Sequence, residues 1–246
     1  MIRSAFAARK RARAIRSALF SALAALLLHA FFITGSARSA QARNDAPGLF
    51  DYYVLSLSWS PTFCLTQKAR GRLRRNDPQC RPGAGYGFVL HGLWPQFRRG
   101  WPSNCRTKDR FVPDAVIREV LDVMPSKGLV IHEWRKHGTC SGLSPRAYFT
   151  LAERLFRQIT IPQDMRAPRA PLKRTPQQIR RAFHAANRDK GFFADSFAVI
   201  CDRLGGQALL REVRVCFSPT VRPSRCGINE QRSACRARMI IIPPVR

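Results

Sequence analysis

The sequence predicts an α+β fold. Segments with strand character sit at both ends of the exported part of the chain, and amphipathic helical segments fill its middle. Eight cysteines, all downstream of an apolar leader, add a disulfide framework. The element order is not the strand–helix alternation of a parallel sheet. A chain of 246 residues with 45% hydrophobic content can build the core of one ordinary to large domain, which excludes a disordered chain. No internal repeat, heptad or low-complexity block interrupts it.

Residues 1–16 are basic and free of acids, residues 18–33 form an apolar run of Ala, Leu and Phe, and Ala40-Gln41-Ala42 supplies small residues for cleavage. That order is a secretory signal peptide. A retained anchor is the alternative, but the run is short of the roughly 20 residues a span needs. Residues 1–42 are therefore expected to be removed, with cleavage after Ser39 the other candidate, leaving residues 43–246 as one domain without a membrane span. His29 falls in the leader and has no catalytic prospect. Export, to a secreted or periplasmic location, accounts for the even cysteine count. No Cys-x-x-Cys pair is present, so zinc knuckles are excluded.

Residues 51–60 alternate and are rich in aromatic and β-branched residues, so they predict a strand, with one of Tyr52 and Tyr53 buried. Residues 66–85 read as a basic, Gly- and Pro-containing loop, and residues 86–90 as a short strand leading into His91. Val116, Val120 and Val123 share a helical face, predicting a helix over residues 113–123. A second helix is expected within residues 129–140. A third, over residues 145–159, has Ser144 as N-cap, Pro145 in its first turn and a Leu151, Leu155, Phe156, Ile159 stripe. A Pro-rich loop spans residues 161–174. Thr175-Pro176-Gln177-Gln178 is a capping box that opens a helix to about Asn187. Residues 196–202 and 209–218 read as strands.

The chain carries 43 basic and 15 acidic residues. Residues 1–42 hold seven of the basic residues and no acid, which leaves 36 against 15, or +21, after their removal. Such a field favours polyanions, nucleic acid or an anionic surface, without choosing between them.

Chemistry concentrates in two short motifs. His91 precedes Gly92-Leu93-Trp94-Pro95, and His132, Glu133, Lys136 and His137 fall within six residues. On a helix Glu133 and His137 share one face, and His132 and Lys136 another. RNA brings its own nucleophile, the 2′-hydroxyl. Its cleavage needs one imidazole to take a proton, one to give a proton to the leaving 5′-oxygen, and cations to stabilise the charge on phosphorus. No metal or cofactor is required, and DNA, lacking the 2′-hydroxyl, should be inert. The motif has the spacing His-Glu-x-x-x-His, one residue longer than the zinc-protease pattern. At about 100° per residue it sets its histidines some 140° apart, a poor arrangement for one metal ion.

Phe88-Val89-Leu90-His91-Gly92-Leu93-Trp94-Pro95 and His132-Glu133-Trp134-Arg135-Lys136-His137-Gly138-Thr139-Cys140 are similar to the two active-site segments of the ribonuclease T2 family. The upstream Leu57-Ser58-Trp59-Ser60-Pro61-Thr62-Phe63-Cys64 resembles its first strand. The resemblance covers residues 50–246 and implies a central antiparallel sheet with flanking helices, stabilised by disulfides. It implies that His137 is the general base and His91 the general acid, that Glu133 and Lys136 stabilise the pentacovalent phosphorus, that His132 holds the phosphate, and that Trp94 borders the base site. It further implies a 2′,3′-cyclic phosphate product and the pairings Cys64 with Cys80, Cys105 with Cys140, Cys201 with Cys235 and Cys216 with Cys226. Which histidine is acid and which base stays open from the residues alone. The expected partner is RNA, the expected state a monomer, and little base preference is expected. The alternative is a cationic protein that binds RNA or an anionic surface with a vestigial site. Trp59, Trp101 and Trp134 are expected in the core or lining the cleft, and His184 on a helix surface.

Overall fold

In the computed structural model, strand β1 (Tyr52–Trp59) is buried along its whole length. An aromatic and β-branched segment reaches that state only where a sheet is covered on both sides. Tyr52 and Tyr53 are therefore both buried, not one of the two. Helix α1 (Ser60–Ala69) follows directly with Pro61 in its first turn, and β2 (Phe88–Gln96) returns antiparallel to β1. The helical middle holds α2 (Asp114–Val120), α3 (Lys127–Lys136) and α4 (Pro145–Gln158), with a 3-10 turn at Gly138–Ser141. Then come β3 (Leu172–Arg174), α5 (Pro176–Asn187), β4 (Phe197–Leu204), β5 (Gln207–Phe217), α6 (Ile228–Ser233) and β6 (Ile240–Ile242). The sheet order is β2-β1-β5-β6-β3 with β4 also on β5, antiparallel except where Leu209 and Ile241 bring β5 and β6 together in parallel. This is the expected α+β arrangement of a central, mainly antiparallel sheet with flanking helices.

The structure describes residues 46–245. They form one compact unit. The signal peptide expected at residues 1–42 lies outside the described residues. Among those described, no helix is long and apolar enough to cross a membrane.

One face of the sheet presents Leu55, Leu57, Leu93 and Val213 to the helices, where they meet Trp134, Tyr148 and Phe183 in the main core. Each fully buried Leu or Phe contributes about 1.5–3 kcal/mol. Tyr148 ties α4 to β2, its hydroxyl donating to the Leu93 carbonyl at 2.7 Å. The capping predictions hold. Ser144 accepts from Ala147 N–H, and Thr175 and Gln178 form the reciprocal box at the start of α5. The opposite face carries a smaller cluster, including Tyr52, Val54, Trp94 and Cys216, and beside it the polar site.

Several expectations need correction. Residues 60–69 form a helix where a strand end and a loop were expected, and β3 and β6 lie in segments read as loop or unassigned. β2 does not stop before His91 but runs on through Pro95. It can do so because β2 lies at the end of the sheet order, where a missing N–H breaks no ladder bond. Four disulfides join Cys64 to Cys80, Cys105 to Cys140, Cys201 to Cys235 and Cys216 to Cys226, the pairings that the resemblance implied.

Candidate active site

Two β-bulges flank the place where the motifs meet. Ser56 pairs with Gly92 and Leu57 with Leu90, so His91 is the extra residue of β2. Ile200 pairs with Glu212 and Cys201 with Leu210, so Arg211 is the extra residue of β5. A bulge bends its strand and re-aims the unpaired side chain. Register then selects the companions: Ser56 of β1 is flanked by Gly92 and Arg214, and Ser58 faces Glu212. Trp94, Gly92, Arg214 and Glu212 thus share the face opposite the main core, and the bulge turns His91 toward them.

Helix α3 brings the second motif to the same face. Its N-cap Ser126 accepts from Leu129 N–H. The helix ends at Lys136, so His137 is not in a helical turn as expected but caps its end, with its N–H still donating to the Glu133 carbonyl at 2.9 Å. Gly138 follows because a side chain there would meet Trp134 at 2.4 Å. Glu133 reaches across β2 over Gly92. A Cβ on Gly92 would lie 2.0 Å from Glu133 Oε2 and 2.5 Å from Trp94 Nε1. In that space Trp94 Nε1 donates to Glu133 Oε2 at 2.7 Å. Trp94 serves both histidines as a wall, with its ring centroid 5.3 Å from that of His91 and 5.3 Å from that of His137. Its own face is covered by the Arg214 guanidinium at 4.9 Å.

These groups line one cleft of about 500 Å³, together with His132, Lys136, Arg70 and Arg211. Trp59 and Trp134 are fully buried, whereas Trp101 is 54% exposed and borders this cleft. The electrostatics divide the histidines. Burial alone would pull the His91 pKa down, but the contact with Glu212 and the charges of Glu133 and Glu212 outweigh it and raise it above the ordinary imidazole value. Burial, reinforced by Lys136, His91, His132 and Arg214, pushes His137 down to about 3. His132 is also lowered, by burial and then by Lys136 and His91. Burial raises the Glu133 carboxyl against the opposing pull of His91, the Trp94 indole and Lys136. Burial would raise Glu212 as well, but His91, Arg214 and Arg211 hold it far below the usual carboxylate range. The cleft therefore offers an imidazole held toward its protonated form, a neutral imidazole and fixed cations: a proton donor, a proton acceptor and a seat for an anion.

All six residues singled out in the sequence, His91, Trp94, His132, Glu133, Lys136 and His137, meet in this cleft. Sequence reasoning missed Glu212, Arg211 and Arg214. Their signal was a run of charges, Arg211, Glu212 and Arg214, inside an otherwise apolar strand, with Glu212 and Arg214 two apart and hence on one face. The loop after α1 contributes Arg70 to the cleft, while Arg72, Arg74, Arg75 and Arg81 are exposed.

A family model described as the ribonuclease T2 family matches residues 50–226. The chain belongs to this family. It is similar to a ribonuclease of Aeromonas hydrophila, 47% identical over 117 residues, covering 48% of this chain and 49% of the relative. Ribonuclease I of Escherichia coli (strain K12) is 30% identical over 173 residues, 55% of this chain and 64% of the relative. A probable ribonuclease of Haemophilus influenzae is 30% identical over 167 residues, 63% and 61% of the two chains. The match thus spans about half to three-fifths of the length of these T2 relatives. Among solved structures, RNase NT in complex with 5′-AMP superposes with a TM-score of 0.61 at 25% identity, over 79% of this chain and 98% of that one. Ribonuclease MC1 from the seeds of bitter gourd gives 0.56 at 26% identity, over 70% and 90%. The fold is therefore that of the T2 ribonucleases.

Proposed function

We propose that this T2-family chain is an endoribonuclease that cleaves single-stranded RNA by metal-independent transphosphorylation. It acts as a monomer with little base preference, and is exported to the periplasm or beyond after loss of residues 1–42. The observation that carries the reading is the opposite displacement of two imidazoles in one cleft, His91 upward and His137 down to about 3. His137, neutral, takes the proton of the 2′-hydroxyl. The 2′-oxygen bonds to phosphorus while the P–O5′ bond breaks, and His91 gives its proton to the departing 5′-oxygen. The products are a 2′,3′-cyclic phosphate and a free 5′-hydroxyl. In this reading Lys136 and Glu133 stabilise the extra charge on phosphorus, His132 holds the phosphate, and Trp94 borders the base. Four disulfides support export to an oxidising compartment.

The direct test is cleavage of single-stranded RNA by the oxidised, exported protein in excess EDTA, beside His137→Ala and a single-stranded DNA control. Cleavage in EDTA that leaves cyclic phosphate ends, spares DNA and is lost in the variant is the expected result. Correctly folded protein that binds RNA without cutting it, or cuts as well without His137, sinks the reading and leaves a cationic binding protein.

A further inference from the structure

A buried glutamate on β5 has no part in the chemistry so far. Glu212 is 4% exposed, in a strand whose neighbouring residues, Leu209, Leu210, Val213 and Val215, are all apolar and buried. A carboxylate there loses its hydration and must be repaid by specific partners. Its Oε2 accepts from Arg214 Nε at 3.0 Å, and its Oε1 lies 3.4 Å from Arg211 Nε and 3.3 Å from His91 Nδ1. Arg214, 14% exposed, pairs with Oε2 and so repays one side of the carboxylate; Oε1 is left to Arg211 and His91. Arg211 is about a third exposed and turns its terminal nitrogen to Asp202 at 3.5 Å, while its Nε makes no aligned hydrogen bond to Oε1.

His91 accounts for the other side of the carboxylate. Its Nδ1 is buried and has no aligned hydrogen-bond partner, and the Glu212 carboxylate is the acid at ion-pair distance from it. The other nitrogen, Nε2, points to the opposite side of the ring, 3.6 Å from Glu133 Oε1. We infer, on the basis of the proposed RNA-cleaving reaction, that Glu212 is the positioning residue of His91: it holds the proton on Nδ1 so that Nε2 faces the leaving 5′-oxygen. The two bulges make this possible, one turning His91 inward from β2 and the other displacing Arg211 so that Glu212 keeps its register with Ser58. During the step the Nε2 proton passes to the 5′-oxygen as the P–O5′ bond breaks. His91 is left neutral with its remaining proton on Nδ1, facing Glu212. This is how a carboxylate fixes the tautomer of a histidine without itself taking the proton.

The other charged or titratable groups lining the cleft with His91 are Glu133, His132, Lys136 and His137 from the α3 segment, Arg211 and Arg214 from β5, Asp202 from β4, Glu230 from α6 and Arg70 at the end of α1. Among the described residues, Glu212 is the acid at ion-pair distance from Nδ1. The experiment is the pH profile of kcat/KM on 3′,5′-linked adenylyl-adenosine, run beside an NMR titration of the His91 imidazole. It uses the oxidised, exported protein and its Glu212→Gln, Glu212→Asp and Arg214→Gln forms. In Glu212→Gln the basic limb and the His91 midpoint should fall together by about 1 pH unit or more, with kcat down about tenfold or more and the acidic limb in place. Glu212→Asp should recover part of the midpoint. Arg214→Gln should move the basic limb upward, since it removes a cation that opposes protonation. A pH-independent loss in Glu212→Gln, with the His91 midpoint unmoved, overturns the inference and leaves Glu212 a structural residue. If Glu212→Gln fails to fold, Glu212→Asp decides: a lowered His91 midpoint with a matching fall of the basic limb supports the pair, and an unmoved midpoint overturns it. If the unmodified protein cuts nothing, the RNA-cleaving reading fails by itself, and the imidazole titrations still decide whether Glu212 governs His91.

Discussion

Gly92 is the residue through which the two motifs become one site. Its missing side chain leaves the space that the Glu133 carboxylate fills and in which the Trp94 indole meets it. Gly92→Ala would place a methyl group within 2.0 Å of Glu133 Oε2. The carboxylate must then leave its partner or β2 must shift, at a cost of about 1–3 kcal/mol. Thermal melting should show that loss, and kcat should fall at least about tenfold as Glu133 and the rings beside it move. An alanine variant with unchanged rate would separate Glu133 from the reaction. The two histidines make a further prediction, the pH window. The base form of His137 is lost only as pH falls toward about 3, whereas the acid form of His91 persists to a pH above the ordinary imidazole value and is lost beyond it. Activity should therefore plateau between a very acidic limb and a basic limb displaced upward. His137→Ala should remove about 10²–10⁴-fold of rate and abolish the acidic limb. A limb near the ordinary imidazole value on the acid side would contradict the burial of His137.

At the scale of elements, the two histidine motifs were legible because each packs its chemistry into a few consecutive residues, and α4 and α5 because their caps and apolar stripes are local features. What stayed illegible depends on pairing between distant segments. Glu212 lies far along the chain from His91, and their contact follows from the β1–β2 and β1–β5 registers and two bulges, none of which a single strand announces. α1 was missed because its apolar residues follow no clear helical stripe, and β3 and β6 because three residues carry no period. The disulfide that joins Cys105 to Cys140 shows how elements are tied at the site. Cys140 sits one turn beyond His137, and beside Cys105 the Asn104 N–H donates to the Lys136 carbonyl at 3.0 Å. Replacing both cysteines by alanine should cost about 2–5 kcal/mol of stability. If the bridge also fixes the end of α3, kcat measured well below the melting temperature should fall too. A double variant that melts earlier but turns over at the original rate would confine the bridge to folding.

At the scale of the whole molecule, net charge bears on how a polyanion would approach. Removal of residues 1–42 would leave 36 basic against 15 acidic residues, and the cleft itself gathers Arg70, Lys136, Arg211 and Arg214. If these cations follow a phosphodiester backbone, binding a single strand releases counterions from every phosphate touched. The logarithm of kcat/KM should then fall linearly with the logarithm of salt, with a slope of about −0.7 per phosphate. For about four phosphates, raising salt from 50 to 200 mM should cost roughly 50-fold on polymeric RNA, but only about threefold on a dinucleoside phosphate, which has one phosphate to neutralise. The difference between the two slopes is the informative quantity. General screening of a cationic surface slows both substrates alike, whereas a cationic path through the cleft acts only on a chain long enough to lie along it. Equal slopes would assign the excess charge to a solvated surface and leave the cleft to recognise a single phosphodiester. A steeper slope for the polymer would make the basic surface part of how this ribonuclease fold captures RNA.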